Sequence, residues 1–243
     1  MVDSNFRKLI NKAHNLIFPP RCAGCSDLMP LNSTDAFCPK CREKWEMHKR
    51  ETCRRCGQPV SECWCGIPFD KDRCITNEYH LVQYDKKADT IIKRLIYKMK
   101  SSRRNLLYYT VAQEMYTELF PRIEYTDLIL TYVPRSKANI TKYGHDHALR
   151  LTLSLSELSG IEIAHMLSHS GNSNQKKLNV LQRQQNAQKS YNIIKGAKNL
   201  INGKNVILID DVMTTGSTVT RCAKLLKLRG ARRVLVFTVA KTI

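Results

Sequence analysis

The stretch from Val206 to Thr218 limits what this chain can fold into more than any other. Val206-Ile207-Leu208-Ile209 is a fully apolar, mostly β-branched run, as a central parallel strand buried on both faces requires. It ends at Asp210-Asp211 and passes into Val212-Met213-Thr214-Thr215-Gly216-Ser217-Thr218, mostly small and hydroxylated residues around one glycine. A helix predicted over 217–229 follows, stopped by Gly230. Ligands of open α/β sheets bind at the carboxyl ends of the strands, and this loop lies at one.

The residue types specify the ligand class. Backbone N–H groups of residues 214–218, at a helix N-terminus with its positive dipole end, can wrap a phosphomonoester, and the Thr and Ser hydroxyls add donors. Gly216 allows close backbone approach. Asp210 and Asp211 would repel a phosphate unless they serve something else, such as the vicinal hydroxyls of a ribose or a Mg²⁺ ion. From Ile163 to the C-terminus they are the only two acidic residues, against fourteen Lys and Arg. An aspartate cap on an ordinary βα turn is the plain structural alternative.

Along the chain, strands are predicted over 79–84, 128–133, 161–165, 206–210 and 233–239, and further helices over 87–99, 104–119 and 145–158. That alternation is expected of βα units around a parallel sheet flanked by helices. Residues 168–202 are rich in Gln, Asn, Ser and Lys and read as a long connection over the active face. At the start, Phe6, Leu9, Ile10, Ala13, Leu16 and Ile17 recur at helical spacing, predicting an amphipathic helix over 4–17 that stops at Pro19-Pro20. The organisation is therefore an N-terminal helical segment (1–20), a Cys-rich module (21–70) and an α/β domain (71–243).

Eight of the ten cysteines fall in the module: Cys22-x2-Cys25, Cys38-x2-Cys41, Cys53-x2-Cys56 and Cys63-Trp64-Cys65. Each short loop presents two thiolates to one ion, and four thiolates close a tetrahedral zinc shell. Such a site has no open position, so its role is structural. The preferred partition is two zinc sites in series, Cys22, Cys25, Cys38 and Cys41, then Cys53, Cys56, Cys63 and Cys65. An interleaved pairing and an iron–sulfur site stay open. Cys74 and Cys222 stand apart, and Cys222 falls on the apolar face of its helix with Val219, Leu225 and Leu226.

No run of eighteen apolar residues occurs, which excludes a membrane span of the ordinary kind, and the N-terminus lacks a signal-peptide core, so a cytoplasmic protein is expected. The net charge of +19 points to a polyanionic partner. Residues 86–104 hold eight Lys and Arg, among them Lys93, Arg94, Lys98, Lys100, Arg103 and Arg104, against the single acid Asp89, with Tyr97, Tyr108 and Tyr109 in or beside the run. Single-stranded nucleic acid is held by such combinations of cations and aromatic rings; a solvated helix face is the plainer reading.

The run Val206 to Thr218 resembles the 13-residue signature of type I phosphoribosyltransferases. Joined to the Cys-rich module, it resembles the ComF family of competence-associated ComFC-type proteins. The likeness extends to Ile17-Phe18-Pro19-Pro20-Arg21-Cys22, to Ile91–Leu106 with Lys98, to Tyr132-Val133-Pro134, and to Gln175, Leu178, Arg183 and Asn186.

The resemblance implies a type I phosphoribosyltransferase-like fold behind a small zinc-ribbon-like module. It implies that Asp210 and Asp211 hold the ribose hydroxyls, that Thr214, Thr215, Gly216, Ser217 and Thr218 hold the 5′-phosphate, and that Arg135, Ser136 and Lys137 face the pyrophosphate of 5-phosphoribosyl 1-pyrophosphate bound with Mg²⁺. It also implies single-stranded DNA and a helicase-like protein as partners during DNA uptake in natural transformation. Two alternatives stand beside this: an active phosphoribosyltransferase acting on a nitrogen base, and a ligand-sensing regulator. Where the family usually reads Arg-Gly-Phe-Asn-Gln, this chain has Tyr143-Gly144-His145-Asp146-His147, with His145 and His147 as replacement donors. Thr214 stands where purine-type enzymes often have an aspartate near the base.

Overall fold

The structure is a computed structural model that describes residues 19–51, 53, 59, 74–85, 90–170 and 190–242. The helix expected over 4–17, the thiols of Cys56, Cys63 and Cys65, and Gln175, Leu178, Arg183 and Asn186 lie outside them.

Four parallel strands form the main sheet: β1 (Asn77–Tyr84), β2 (Leu128–Tyr132), β5 (Asn205–Met213) and β6 (Arg233–Thr242), in the order β1-β6-β5-β2. The alternating apolar residues of β5 explain its central place. Ile207 and Ile209 pack on one side with α2 (Ile91–Ser101), α3 (Asn105–Leu119) and α5 (His147–Ser159), through Leu95, Val111, Met115, Leu151 and Leu155. Val206 and Leu208 pack on the other with α7 (Ser217–Leu228), through Val219, Cys222, Ala223 and Leu226. Both faces of the sheet are thus covered, as a parallel sheet requires.

The zinc-binding segment docks on this body through α1 (Pro39–Lys49). Trp45 is fully buried and stacks on Phe37 at 5.5 Å between ring centroids. Arg42 and Lys49 on α1 reach Glu114 on α3 at 2.5 and 2.6 Å, and Lys49 also reaches Glu118 at 3.1 Å. Cys22, Phe37, Cys41 and Trp45 belong to the same buried cluster as Leu95 and Val111. Removing the segment would therefore open the α2–α3 side of the domain.

Several elements depart from the sequence-based expectation. The stretch 161–165 forms a single parallel bridge, Ile163 to Leu130, in which Glu162 O accepts from Leu130 N–H and Ala164 N–H donates to Leu130 O. The connection 168–202 is structured at both ends: β3 (Leu167–His169) pairs antiparallel with β4 (Tyr191–Ile193), and Ala197–Ile201 forms the short α6. An unanticipated helix, α4 (Lys137–Tyr143), starts at Ser136, whose hydroxyl accepts from Asn139 N–H, and stops at Gly144 with φ +73°. The strand expected to end at Asp210 runs on to Met213, so the acidic pair lies inside it.

Candidate functional site

The carboxyl ends of β2 and β5 open on a cavity of about 410 Å³ lined by Lys100, Pro134, Arg135, Ser136, Asn139, Tyr143, His147, His169, Tyr191, Asp210, Asp211 and Thr218. Lys137 is exposed and outside that lining. Gly216 is in the left-handed region at φ +73° and caps α7, while Thr215 Oγ1 and Ser217 Oγ hydrogen-bond at 2.9 Å. The loop thus turns tightly enough to place Thr218, in the first turn of α7, against the cavity.

Both carboxyls of the acidic pair line the cavity, but their partners differ. Asp210 Oδ1 accepts from Asp211 N–H at 2.9 Å, and Asp211 Oδ1 accepts from Val212 N–H at 2.8 Å. The other oxygen of Asp211 meets Lys100 Nζ at 2.9 Å and His147 Nε2 at 3.3 Å. Burial raises the cost of its charge, but Lys100 and then His147 overcome that and hold Asp211 well below the usual carboxylate range. Burial first, and the Asp211 charge second, push Asp210 well above it. Environments that drive two neighbouring carboxyls apart are characteristic of working sites.

A carboxyl whose folded pKa is raised contributes its full stability below the unfolded value and loses it as pH rises through the folded value. Asp210→Asn is therefore expected to raise Tm at neutral pH by roughly 3 °C, with the gap closing as pH falls toward about 4. Paired thermal melts across that range check it; a gap that widens on acidification would contradict the assignment.

The loop after β2 is fixed from α5. Asp146 caps that helix, its Oδ1 accepting from Ala148 and Leu149 N–H, while its Oδ2 accepts from Arg135 N–H at 2.8 Å. The Arg135 guanidinium lies 4.4 Å from the centre of the Tyr143 ring. His145 is turned away from the cavity: Nε2 contacts the Tyr108 hydroxyl at 2.8 Å and Nδ1 contacts Tyr143 O at 2.9 Å. Of the two histidines, it is His147 that reaches the acidic pair.

Asp210, Asp211 and His147 place one ligand atom each within 4.8 Å of one another. Two carboxylates are the hard donors Mg²⁺ takes, whereas imidazole is a softer one, so the pair fits Mg²⁺ and His147 fits a hydrogen-bonding role beside it. Tyr191 and His169 were not legible as cavity residues, since they arrive there through the pairing of β3 with β4, which joins positions far apart in the chain. Burial raises the Tyr191 hydroxyl and lowers the His169 imidazole.

In the Cys-rich segment, the Sγ atoms of Cys22, Cys25, Cys38 and Cys41 all lie within 4.8 Å of one another. Cys25 Sγ and Cys38 Sγ are 3.8 Å apart, which is the edge of a tetrahedron with metal–sulfur bonds of about 2.3 Å. Gly24 and Cys38 N–H donate to Cys22 Sγ at 3.3 and 3.2 Å. Against burial, such backbone donors bring the Cys22 thiol down to about 7. The donor set and its spacing fit a structural zinc ion. Of the second expected set only Cys53 is described, and it is buried.

The cations expected to form a nucleic-acid track take varied places. Lys98 Nζ donates to Cys22 O at 2.8 Å, Arg94 to Gly24 O at 3.4 Å and Arg104 to Pro19 O at 2.8 Å, all gripping the zinc-binding segment. Lys100 is in the cavity, and the Arg103 guanidinium fills the space a side chain at Gly144 would take. Lys93 is exposed, as is Tyr97 one turn on. No helix of the described residues is long and apolar enough to cross a membrane.

Comparison with known proteins agrees with this architecture. Residues 13–75 match the double zinc ribbon domain, and residues 110–242 match the phosphoribosyl transferase domain. No curated protein sequence matches the chain. Among solved structures, the allosteric regulatory enzyme of purine biosynthesis is similar at 16% identity over 59% of this chain and 30% of its own, with a TM-score of 0.38. Glutamine phosphoribosylpyrophosphate amidotransferase from B. subtilis shows 18% identity over 62% of this chain and 28% of its own, TM-score 0.35. Adenine phosphoribosyltransferase from Saccharomyces cerevisiae shows 17% identity over 56% and 68%, TM-score 0.34. The match thus spans less than a third of the first two structures' length. With a parallel sheet flanked by helices, and with the match over residues 110–242 taking in more than half of its 243 residues, the chain belongs to the phosphoribosyl transferase domain family.

Proposed function

We propose that this chain binds 5-phosphoribosyl 1-pyrophosphate with Mg²⁺ in the cavity at the ends of β2 and β5, and that it does so as a DNA-uptake factor rather than chiefly as a transferase. The observation that carries the reading is the lining of one cavity by the acidic pair, by Thr218 of the loop, and by Arg135 and Ser136 of the loop after β2. In this assignment Asp210 and Asp211 accept from the ribose hydroxyls, residues 214–218 hold the 5′-phosphate, and Arg135 and Ser136 meet the pyrophosphate. Mg²⁺ would supply charge neutralisation of the pyrophosphate, held by the carboxylate pair.

Transfer to a nitrogen base is the weaker alternative. Among the described residues, the carboxylates of the cavity lining are Asp210 and Asp211 alone; Asp211 is already paired with Lys100, and Thr214 leaves its loop position without an acid. Binding with little turnover fits these residues better. The test compares sugars: 5-phosphoribosyl 1-pyrophosphate with Mg²⁺ is expected to raise Tm most, ribose 5-phosphate less, and 2-deoxyribose 5-phosphate hardly at all. Equal shifts from ribose and deoxyribose would remove the hydroxyl role of the acidic pair.

The DNA role, in natural transformation beside a helicase-like partner, follows from the ComF resemblance, and one feature of α2 favours it. Lys93 and Tyr97 are both exposed, Tyr97 at 70%, and lie one turn apart on one helix face, a cation beside a stacking ring. Lys93→Glu is expected to weaken single-stranded DNA binding and to reduce the slope of log K against log salt by about 0.7 for each phosphate that Lys93 neutralises. Binding measured from low to high salt decides; an unchanged slope removes Lys93 from the surface.

A further inference from the structure

We propose that Lys100 is a resident cation of the phosphoribosyl site: it occupies the Asp211 carboxylate in the free protein and turns its charge to the phosphates when the ligand enters. This rests on the ligand reading above and adds a residue from outside the segment that matches the phosphoribosyl transferase domain. Residue 100 precedes the matched segment, which begins at residue 110.

The need for such a cation follows from burial. Asp211 is 5% exposed, and an ionised carboxylate in that position is strongly disfavoured unless it is paired. One of its oxygens is satisfied within the strand by Val212 N–H. The other is met by Lys100 Nζ at 2.9 Å and, more distantly, by His147 Nε2 at 3.3 Å, so a metal ion or hydroxyl seeking that oxygen competes with the ammonium.

The backbone of Lys100 is tied by a hydrogen bond to its carbonyl, whereas its head is held by the ion pair with Asp211. Arg135 Nη1 donates to Lys100 O at 3.3 Å, and two residues earlier Lys98 Nζ donates to Cys22 O at 2.8 Å. The last turn of α2 is thereby clamped between the loop after β2 and a zinc-ligating residue. The Lys100 side chain itself keeps 39% exposure, and its four-carbon stem lets the ammonium move without moving the helix. Arg135 and Lys100 line the same cavity, so an incoming pyrophosphate meets both. A free divalent cation must compete with Lys100 for that oxygen, whereas a ligand carrying phosphates also offers the ammonium a new partner. Cation and phosphate binding become coupled.

The test uses the full-length, zinc-replete protein and Mn²⁺ alone as the probe, free Mn²⁺ being read by electron paramagnetic resonance. Lys100→Met and Lys100→Gln are each expected to bind Mn²⁺ about tenfold more tightly than the native chain, and Asp211→Asn added to either is expected to cancel the gain. Inorganic pyrophosphate with Mg²⁺ is expected to bind both variants more weakly than native. Zinc content and the near-ultraviolet dichroism of the two variants establish that they fold. Equal Mn²⁺ affinity in the native chain and both folded variants overturns the proposal. Because the Mn²⁺ measurement contains no sugar phosphate, a native chain that ignores 5-phosphoribosyl 1-pyrophosphate while the variants gain Mn²⁺ rejects the ligand reading and leaves the role of Lys100 at Asp211 intact.

Discussion

Cys22→Ser is expected to release the zinc of the first four-cysteine site and to unfold the ribbon together with the end of α2. Binding of a structural zinc ion to small finger peptides is worth roughly 10–16 kcal/mol, and a whole domain is stable by only about 5–15 kcal/mol. Loss of one ion can therefore consume the margin. Cys22 is fully buried, accepts two backbone N–H bonds at its sulfur, and through its carbonyl holds Lys98. Serine offers a shorter and far poorer zinc ligand at the same point. Metal analysis should find one zinc fewer per chain, and Tm should fall by more than about 10 °C. A variant that loses its zinc and melts like the native protein would show that the ribbon contributes nothing to the α/β domain, contrary to their shared core.

Asp211→Ala is expected to lower affinity for 5-phosphoribosyl 1-pyrophosphate with Mg²⁺ by roughly 100-fold or more. Two charge-assisted hydrogen bonds at about 1.5–3 kcal/mol each correspond to at least two powers of ten, at about 1.4 kcal/mol per tenfold. The same change strands Lys100 and His147 beside a void, so Tm should fall as well. Asp211→Asn separates the two effects, because it keeps an acceptor for Val212 N–H while removing the charge. Titrations of both variants, with Tm measured in parallel, are the check; affinity within a few-fold of native in a folded Asp211→Ala would place the ligand elsewhere.

The parallel sheet was readable because its central strands are written as uninterrupted apolar runs. Val206–Ile209 and Val234–Phe237 have no other stable use than burial between helix layers. The helix stop was equally clear where glycine could take φ > 0, as at Gly230. The seven-residue α4 carried its own Ser136 cap and Gly144 stop, yet it has no buried residue, and a periodicity search looks for a buried stripe. The extension of β5 through Asp210-Asp211 was hidden for the opposite reason: two acids look like the end of a buried strand unless a lysine from another helix neutralises one of them.

In the site, chemistry legible from one segment was readable and chemistry assembled from several was not. The acidic pair and the Thr/Gly/Ser loop are contiguous, so their residue types point to the ligand. Lys100 looked like one cation among eight in a basic stretch, and only its ion pair with Asp211, made at the end of α2, singles it out. Lys98 and Arg104 likewise read as surface charge but reach carbonyls of the zinc-binding segment. Tyr191 and His169 enter the cavity through a two-strand pairing whose short strands carry no pattern of their own.

The most direct test of the central claim is calorimetric titration of the zinc-replete protein with 5-phosphoribosyl 1-pyrophosphate and Mg²⁺, with the Asp210→Ala/Asp211→Ala variant as control. Saturable binding of one ligand per chain, lost in the folded variant, is the predicted result. No heat of binding to the native protein, or binding that persists in the variant, would contradict it.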